Sequence, residues 1–192
     1  MRGTKIDQKQ LKRLVEKIQQ GDEASFGKIY DSYVNSIYRY VFLKIGLKEK
    51  TEEVVQDIFL KFWRFAREKE NRIQNVNAFL YTIAKSMIVD YYRAAGKAEE
   101  VIGFQESIMT EDELAASESL DEGIDIVLDM EKIKAVLAKL PQVYQDVIIM
   151  KFMDELSNEE IALALAKEEG HIRVLVHRAL KQLRELLLKN NG

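Results

Sequence analysis

Leu156–Leu188, LSNEEIALALAKEEGHIRVLVHRALKQLRELLL, reads as two helices joined by a tight turn. Ser157 and Glu160 have the S-x-x-E spacing of a capping box, in which the serine oxygen accepts from the third helical N–H and the glutamate accepts from the serine N–H. A helix therefore begins at about Asn158. Ile161, Ala162 and Leu165 form its apolar face, and Ala166–Gly170 interrupts the pattern. A second helix runs from about Glu169, with Ile172, Leu175, Val176, Ala179, Leu183, Leu186 and Leu187 at helical spacing on one side. That side predicts burial. The other side carries His171, Arg173, Val174, His177, Arg178, Lys181 and Arg184, and Glu185 is the one acid between His171 and Lys189. Cations along a helix that follows a short helix and a tight turn match a helix-turn-helix reader entering the major groove of DNA. Periodicity alone fits equally well an amphipathic helix with solvated lysines and arginines. The capping box and the sustained cationic sign favour DNA.

Upstream of this stretch the chain reads as helical throughout, with nine glycines and a single proline in 192 residues. Asp7–Gln20 places Leu11, Leu14, Val15 and Ile18 on one face. Gly21 ends it, and Asp22 can cap Glu23–Ile45, whose stripe is Phe26, Ile29, Tyr30, Tyr33, Ile37, Tyr40, Val41 and Ile45. A third helix, about Thr51–Glu68, buries Val54, Val55, Ile58, Phe59 and Phe62, with Trp63 beside them. The polar stretch Arg67–Asn75 breaks periodicity. Asn77 is then expected to cap a fourth helix reaching Tyr92, with Leu80, Ile83, Ala84, Met87, Ile88 and Tyr91 inward. A further helix is expected from near Ile124 to Leu140, with Val127, Met130, Ile133, Val136 and Leu137 inward. Pro141 divides it from another helix that reaches about Phe152.

Charge separates these segments. Met1–Gly96 holds 18 Lys and Arg against 12 Asp and Glu, Lys97–Asp129 holds 1 against 11, and Met130–Gly192 holds 10 against 9. An acidic connector between basic-to-neutral lobes reconciles a pI near 5.6 with nucleic-acid binding. The expected fold class is all-α, with two small helical domains at 1–96 and 124–192 and an acidic flexible linker at 97–123. Within that linker, Leu114–Leu120 has some helical character.

Several classes are disfavoured. No apolar run approaches the roughly 18 to 20 residues of a membrane span, and the N-terminal stretch lacks a signal-peptide apolar region. Both point to the cytoplasm. The absence of cysteine removes disulfides and thiolate metal sites. His171 and His177 lie six residues apart, off the one-turn spacing of a helical metal pair, so neither a metal nor another cofactor is expected. No cluster has catalytic spacing and no glycine-rich phosphate loop occurs, so the chain is not expected to be an enzyme.

Three segments together carry a family resemblance. Thr51–Phe65 (TEEVVQDIFLKFWRF) resembles region 2.2 of bacterial sigma factors, Asn77–Arg93 (NAFLYTIAKSMIVDYYR) resembles regions 2.3 and 2.4, and Leu156–Arg184 is similar to region 4.2. Two lobes with a short linker resemble the extracytoplasmic-function (ECF) sigma factors. The resemblance implies docking of the third helix on the β′ subunit of core RNA polymerase through Gln56, Asp57, Leu60, Lys61 and Arg64. It implies capture of an unpaired base of the opened minus-ten element by the loop at 67–77. Arg72, Asn75 and Asn77 are the candidates there, followed along the strand by Lys85, Tyr92 and Arg93. It also implies duplex reading of the minus-thirty-five element by the last helix. His171, Val174, Arg178 and His177 are then nearest base edges, and Arg173, Lys181 and Arg184 nearest phosphates. An anti-sigma factor is a further implied partner. The alternatives are a stand-alone helix-turn-helix regulator and a helical adaptor whose cationic helix meets an acidic protein.

Two departures stand out. Where the family commonly has Leu-Gly at the turn, a variable residue and a serine cap, this chain has Leu165, Ala166, Lys167 and Glu168, followed by Glu169, Gly170 and His171. Alanine in a left-handed turn costs roughly 1 kcal/mol relative to glycine, and acids at the helix mouth repel phosphate. Ser86 stands where asparagine is frequent.

Overall fold

A computed structural model describes residues 6–96 and 130–190, and every regular element among them is helical. The expected linker, its helical stretch Leu114–Leu120 and the expected helix start near Ile124 lie outside the described residues. The chain divides into two compact units at the Gly96–Lys97 junction.

In the first unit, α1 (Gln8–Gln19), α2 (Glu23–Ile45), α3 (Lys48–Arg67) and α4 (Val76–Ala94) each pack against the other three. Local chemistry explains where each begins. Asp22 caps α2, its carboxylate accepting from the amides of Ala24 and Ser25 and from the Ser25 hydroxyl at 2.8 Å. The Ser25 hydroxyl, then the two amides and nearby Lys17, hold that carboxyl below its ordinary pKa against a smaller desolvation effect. Gly46 ends α2 in the left-handed conformation, with φ of 78°. The third helix starts three residues before the expected Thr51, because the Thr51 hydroxyl bonds back to the Leu47 carbonyl at 2.8 Å inside the first turn. Asn75, rather than the expected Asn77, caps α4: its side-chain oxygen accepts from the Ala78 amide at 2.9 Å. Asn77 is one turn inside and buried.

The core of this unit is aliphatic at its centre and aromatic along one side. Ile29, Ile37, Ile58, Phe62, Leu80 and Tyr81 are fully buried. Rings of Phe26, Tyr30, Phe59, Phe62, Phe65 and Phe79 meet at centroid distances from 4.6 to 6.4 Å, in stacked, tilted and edge arrangements. Trp63 is half-buried against Phe26 at 4.9 Å and carries the Arg67 guanidinium over its ring at 5.2 Å. At the far end, the Tyr92 hydroxyl donates to the Lys44 carbonyl at 2.6 Å and joins the C-terminal turns of α2 and α4.

In the second unit, α5 (Met130–Leu137), α6 (Gln142–Ile148) and α7 (Asn158–Leu165) all pack on α8 (Glu169–Asn190). The expected helix to Leu140 stops at Leu137, since the ring of Pro141 disfavours helical geometry just before it. Leu140 turns inward there, and its carbonyl accepts from the buried Gln145 amide at 2.9 Å. After α6 the backbone widens into a π-helical turn, Ile149–Met153, closed by Asp154 N–H to Ile149 O at 3.0 Å and Leu156 N–H to Met150 O at 2.9 Å. This brings Leu156 into the core beside the start of α7.

The capping box of α7 is complete. Glu160 N–H donates to the Ser157 hydroxyl at 3.1 Å, and Ser157 N–H donates to the Glu160 carboxylate at 2.9 Å. Ala166 then adopts φ 52° and ψ 49°, the left-handed conformation that glycine occupies at little cost. Ala166→Gly is expected to stabilise the second unit by roughly 1 kcal/mol. Urea unfolding followed by far-ultraviolet circular dichroism checks this, and an unchanged or lower midpoint would show that the turn carries no strain.

Candidate functional site

Three surfaces hold the candidate residues. The first is on α3. Val54, Val55, Ile58, Phe59 and Phe62 are buried, so the 3.6-residue repeat places Gln56, Asp57, Leu60, Lys61 and Arg64 together on the exposed side. Leu60 keeps 43% of its surface exposed, an apolar centre in a polar frame.

The second surface is the segment between α3 and α4. Arg72 is exposed, and Asn75 is half-buried with its side-chain oxygen used in the α4 cap. Asn77 is only 3% exposed, so its expected contact with an opened strand is not available in this conformation; its position inside the first turn of α4 points it into the core. Further along α4, Lys85 and Tyr92 are half-buried and Arg93 is exposed, 3.7 Å from Asp90. The Tyr92 hydroxyl is occupied by the Lys44 carbonyl, and its ring meets Tyr91 edge-on at 5.5 Å. Tyr81, an alternative stacking ring, is fully buried against Tyr40.

Two residues that periodicity does not single out shape this segment. Gln19, at the end of α1, donates through Nε2 to the Asn71 carbonyl at 3.0 Å and the Glu68 carbonyl at 3.4 Å. Asn71 donates through Nδ2 to the Phe65 carbonyl at 3.0 Å and the Glu68 carboxylate at 2.7 Å. The available signal is weak: an asparagine shortly after a helix C-terminus, where carbonyls lack helical donors.

The third surface is on α8. Arg173, Lys181 and Arg184 are exposed, and His171, His177 and Arg178 are half-buried. Arg173 pairs with Glu169 one turn earlier at 2.8 Å, so that acid competes with phosphate for the arginine. An exposed pair of this kind contributes little stability. Val174 corrects the expectation of a base contact: it is 0% exposed. Ile172, Val174, Leu175, Ala179 and Leu180 are all buried, so the first half of α8 is enclosed on more than one side. A two-residue step along a helix turns about 200°, which puts Ile172 and Val174 on opposite flanks.

Family comparison then addresses the two units separately. The family model described as Sigma-70 region 2 matches residues 29–98, and that described as Sigma-70, region 4 matches residues 130–183. The ECF RNA polymerase sigma factor BldN of Streptomyces coelicolor is 29% identical over 184 residues, covering 94% of this chain and 67% of the relative. SigW of Bacillus subtilis, also an ECF RNA polymerase sigma factor, is 27% identical over 186 residues, covering 92% and 96%. The chain belongs to the ECF sigma factors.

A solved structure agrees at the level of fold. The sigma factor RpoE from Bartonella quintana, in complex with the anti-sigma factor NepR, matches with a TM-score of 0.60 at 23% identity, covering 84% of this chain and 96% of that one. As an ECF sigma factor the chain is a transcription initiation factor, with region 2 carried by α2–α4 and region 4 by α5–α8. The stand-alone regulator and the adaptor are not favoured, because neither reading calls for region 2. The first helix precedes the region 2 match. Among the described residues, no helix is long and apolar enough to cross a membrane.

Proposed function

We propose that the domain at 1–96 docks core RNA polymerase and holds the opened minus-ten element, that the domain at 124–192 reads the minus-thirty-five element as duplex, and that the acidic segment 97–123 links them. The carrying observation is the exposed cationic face of α8, with Arg173, Lys181 and Arg184 turned outward behind a capped helix and a tight turn. Cations in that position supply the salt-dependent grip on phosphate that duplex binding needs. On this reading His171, His177 and Arg178 stand nearest the bases, and an arginine fork on guanine is worth about 1 to 3 kcal/mol of discrimination.

Docking on the β′ subunit falls to Gln56, Asp57, Leu60, Lys61 and Arg64, where an exposed leucine framed by polar groups suits a helix-groove contact. The opened strand meets Arg72 first and then runs toward Lys85 and Arg93. Tyr92 is assigned to packing against that strand through its ring edge. Such a protein works in the cytoplasm as a dissociable specificity subunit and performs no catalysis of its own. An anti-sigma factor, as the Bartonella quintana RpoE has in NepR, is a further partner.

Run-off transcription with purified core polymerase on a promoter library tests the reading. Promoter-dependent initiation is expected only when the chain is added. Duplex binding of equal strength with and without core, and no initiation, would point to a stand-alone regulator. Lys181→Ala is expected to weaken upstream-element binding across sequences and to reduce the slope of log affinity against log salt by about 1. An unchanged slope would remove Lys181 from the phosphate contacts.

A further inference from the structure

We propose that Gln19 and Asn71 are positioning residues: they hold the segment from Glu68 to Asn75 in the shape that receives an unpaired base, and so α1 governs how sharply bases are discriminated there. The inference rests on the reading of this segment as the base-capturing loop. It adds to that reading a helix that precedes the region 2 match.

Fixing one backbone residue costs about 1 to 2 kcal/mol. A polar loop ordered only on contact with DNA would take that cost from its binding free energy, and a loop held in place beforehand would not. Here the loop is held at three points. The Asn71 side chain bonds the Phe65 carbonyl at the end of α3 and the Glu68 carboxylate, at 3.0 and 2.7 Å. The Gln19 amide bonds the carbonyls of Asn71 and Glu68, at 3.0 and 3.4 Å. Asn75 fixes the exit by capping α4. Gln19 in turn is anchored, because it follows Ile18, which is buried with Leu11 and Val15 against the other three helices. Arg72 and Gln74 are left projecting outward between the fixed points. Neither Gln19 nor Asn71 need touch DNA for this to work; they define where Arg72 and its neighbours stand.

The test uses the full-length chain with core polymerase and fork-junction DNA whose single-stranded non-template bases are randomised. Wild type is compared with Gln19→Leu, Gln19→Glu and Gln19→Lys. Losing a hydrogen bond that organises the loop is expected to lower discrimination at one captured position about tenfold in Gln19→Leu and Gln19→Glu. Affinity for core and the thermal midpoint reported by Trp63 should stay near wild type. Gln19→Lys keeps an N–H donor of similar reach and is expected to recover most of the discrimination. Unchanged discrimination in Gln19→Leu would overturn the proposal and leave the reading of the loop intact. So would a loss that follows unfolding and is not recovered by Gln19→Lys. A wild-type protein that initiates from promoters yet shows no preferred base at any opened position would instead overturn the reading on which the proposal rests.

Discussion

Phe62→Ala should unfold the first unit at far lower denaturant than wild type, with a cost of about 3 to 5 kcal/mol. The ring is fully buried on α3 and lies between the rings of Phe26 and Phe79, at 6.4 and 6.2 Å. Truncation removes the transfer free energy of the ring and leaves a cavity among neighbours that cannot all close on it. Domains of this size have roughly 5 to 15 kcal/mol in total, so the loss is a large share of the whole. Trp63 is the chain's single tryptophan and adjoins Phe26, so its fluorescence in a urea titration reports on this unit. A shift worth less than about 1 kcal/mol, the ordinary effect of a mild substitution, would show that the aromatic side is not the core. Core docking should fall with stability, because the exposed side of α3 is presented only while its other side is packed.

Val174→Asp should be as damaging in the second unit, and it separates two views of α8. If Val174 met a thymine methyl, the aspartate would weaken one base contact and repel phosphate, with the helix intact. At 0% exposure it instead puts a carboxylate where no water reaches. An unpaired buried charge costs several kcal/mol or takes up a proton. The expected result is loss of helical signal and of the cooperative unfolding transition, before any DNA is added. A folded, stable Val174→Asp protein that fails only in duplex binding would return Val174 to the DNA face.

What was legible in the sequence follows from which forces act locally. The second helix was expected at Glu23–Ile45 and is found there, because Asp22 and Gly46 act through their own neighbours in the chain. The capping box of Ser157 and Glu160, the left-handed Ala166 and the exposed stripe from Gln56 to Arg64 depend on spacing alone, and spacing is visible. Val174 was misplaced for the opposite reason. Its neighbours His171, Arg173 and His177 suggested a solvent face, and only the packing of three other helices on α8 shows that both flanks of its first half are enclosed. Asn75 and Asn77 exchanged roles because both can cap, and the choice is made by which of them the core can accept. Gln19 lies about fifty residues from the carbonyls it bonds, beyond the reach of periodicity or local propensity.

The widened turn at Ile149–Met153 has a bearing on the DNA-reading half. A π-helical turn accommodates one residue more than an α-helical turn would, and each residue of an ordinary helix advances the chain by about 100°. The turn therefore acts as an angular spacer that fixes the phase of α7 and α8 against α6. Regularising it by losing one residue would spin everything downstream by that angle, carrying Leu156 toward solvent and the cationic face of α8 away from its present bearing. The tolerance of this short segment to insertion or deletion is thus far narrower than its length suggests, and the aim of the recognition helix is set in part by a backbone irregularity that makes no contact with DNA.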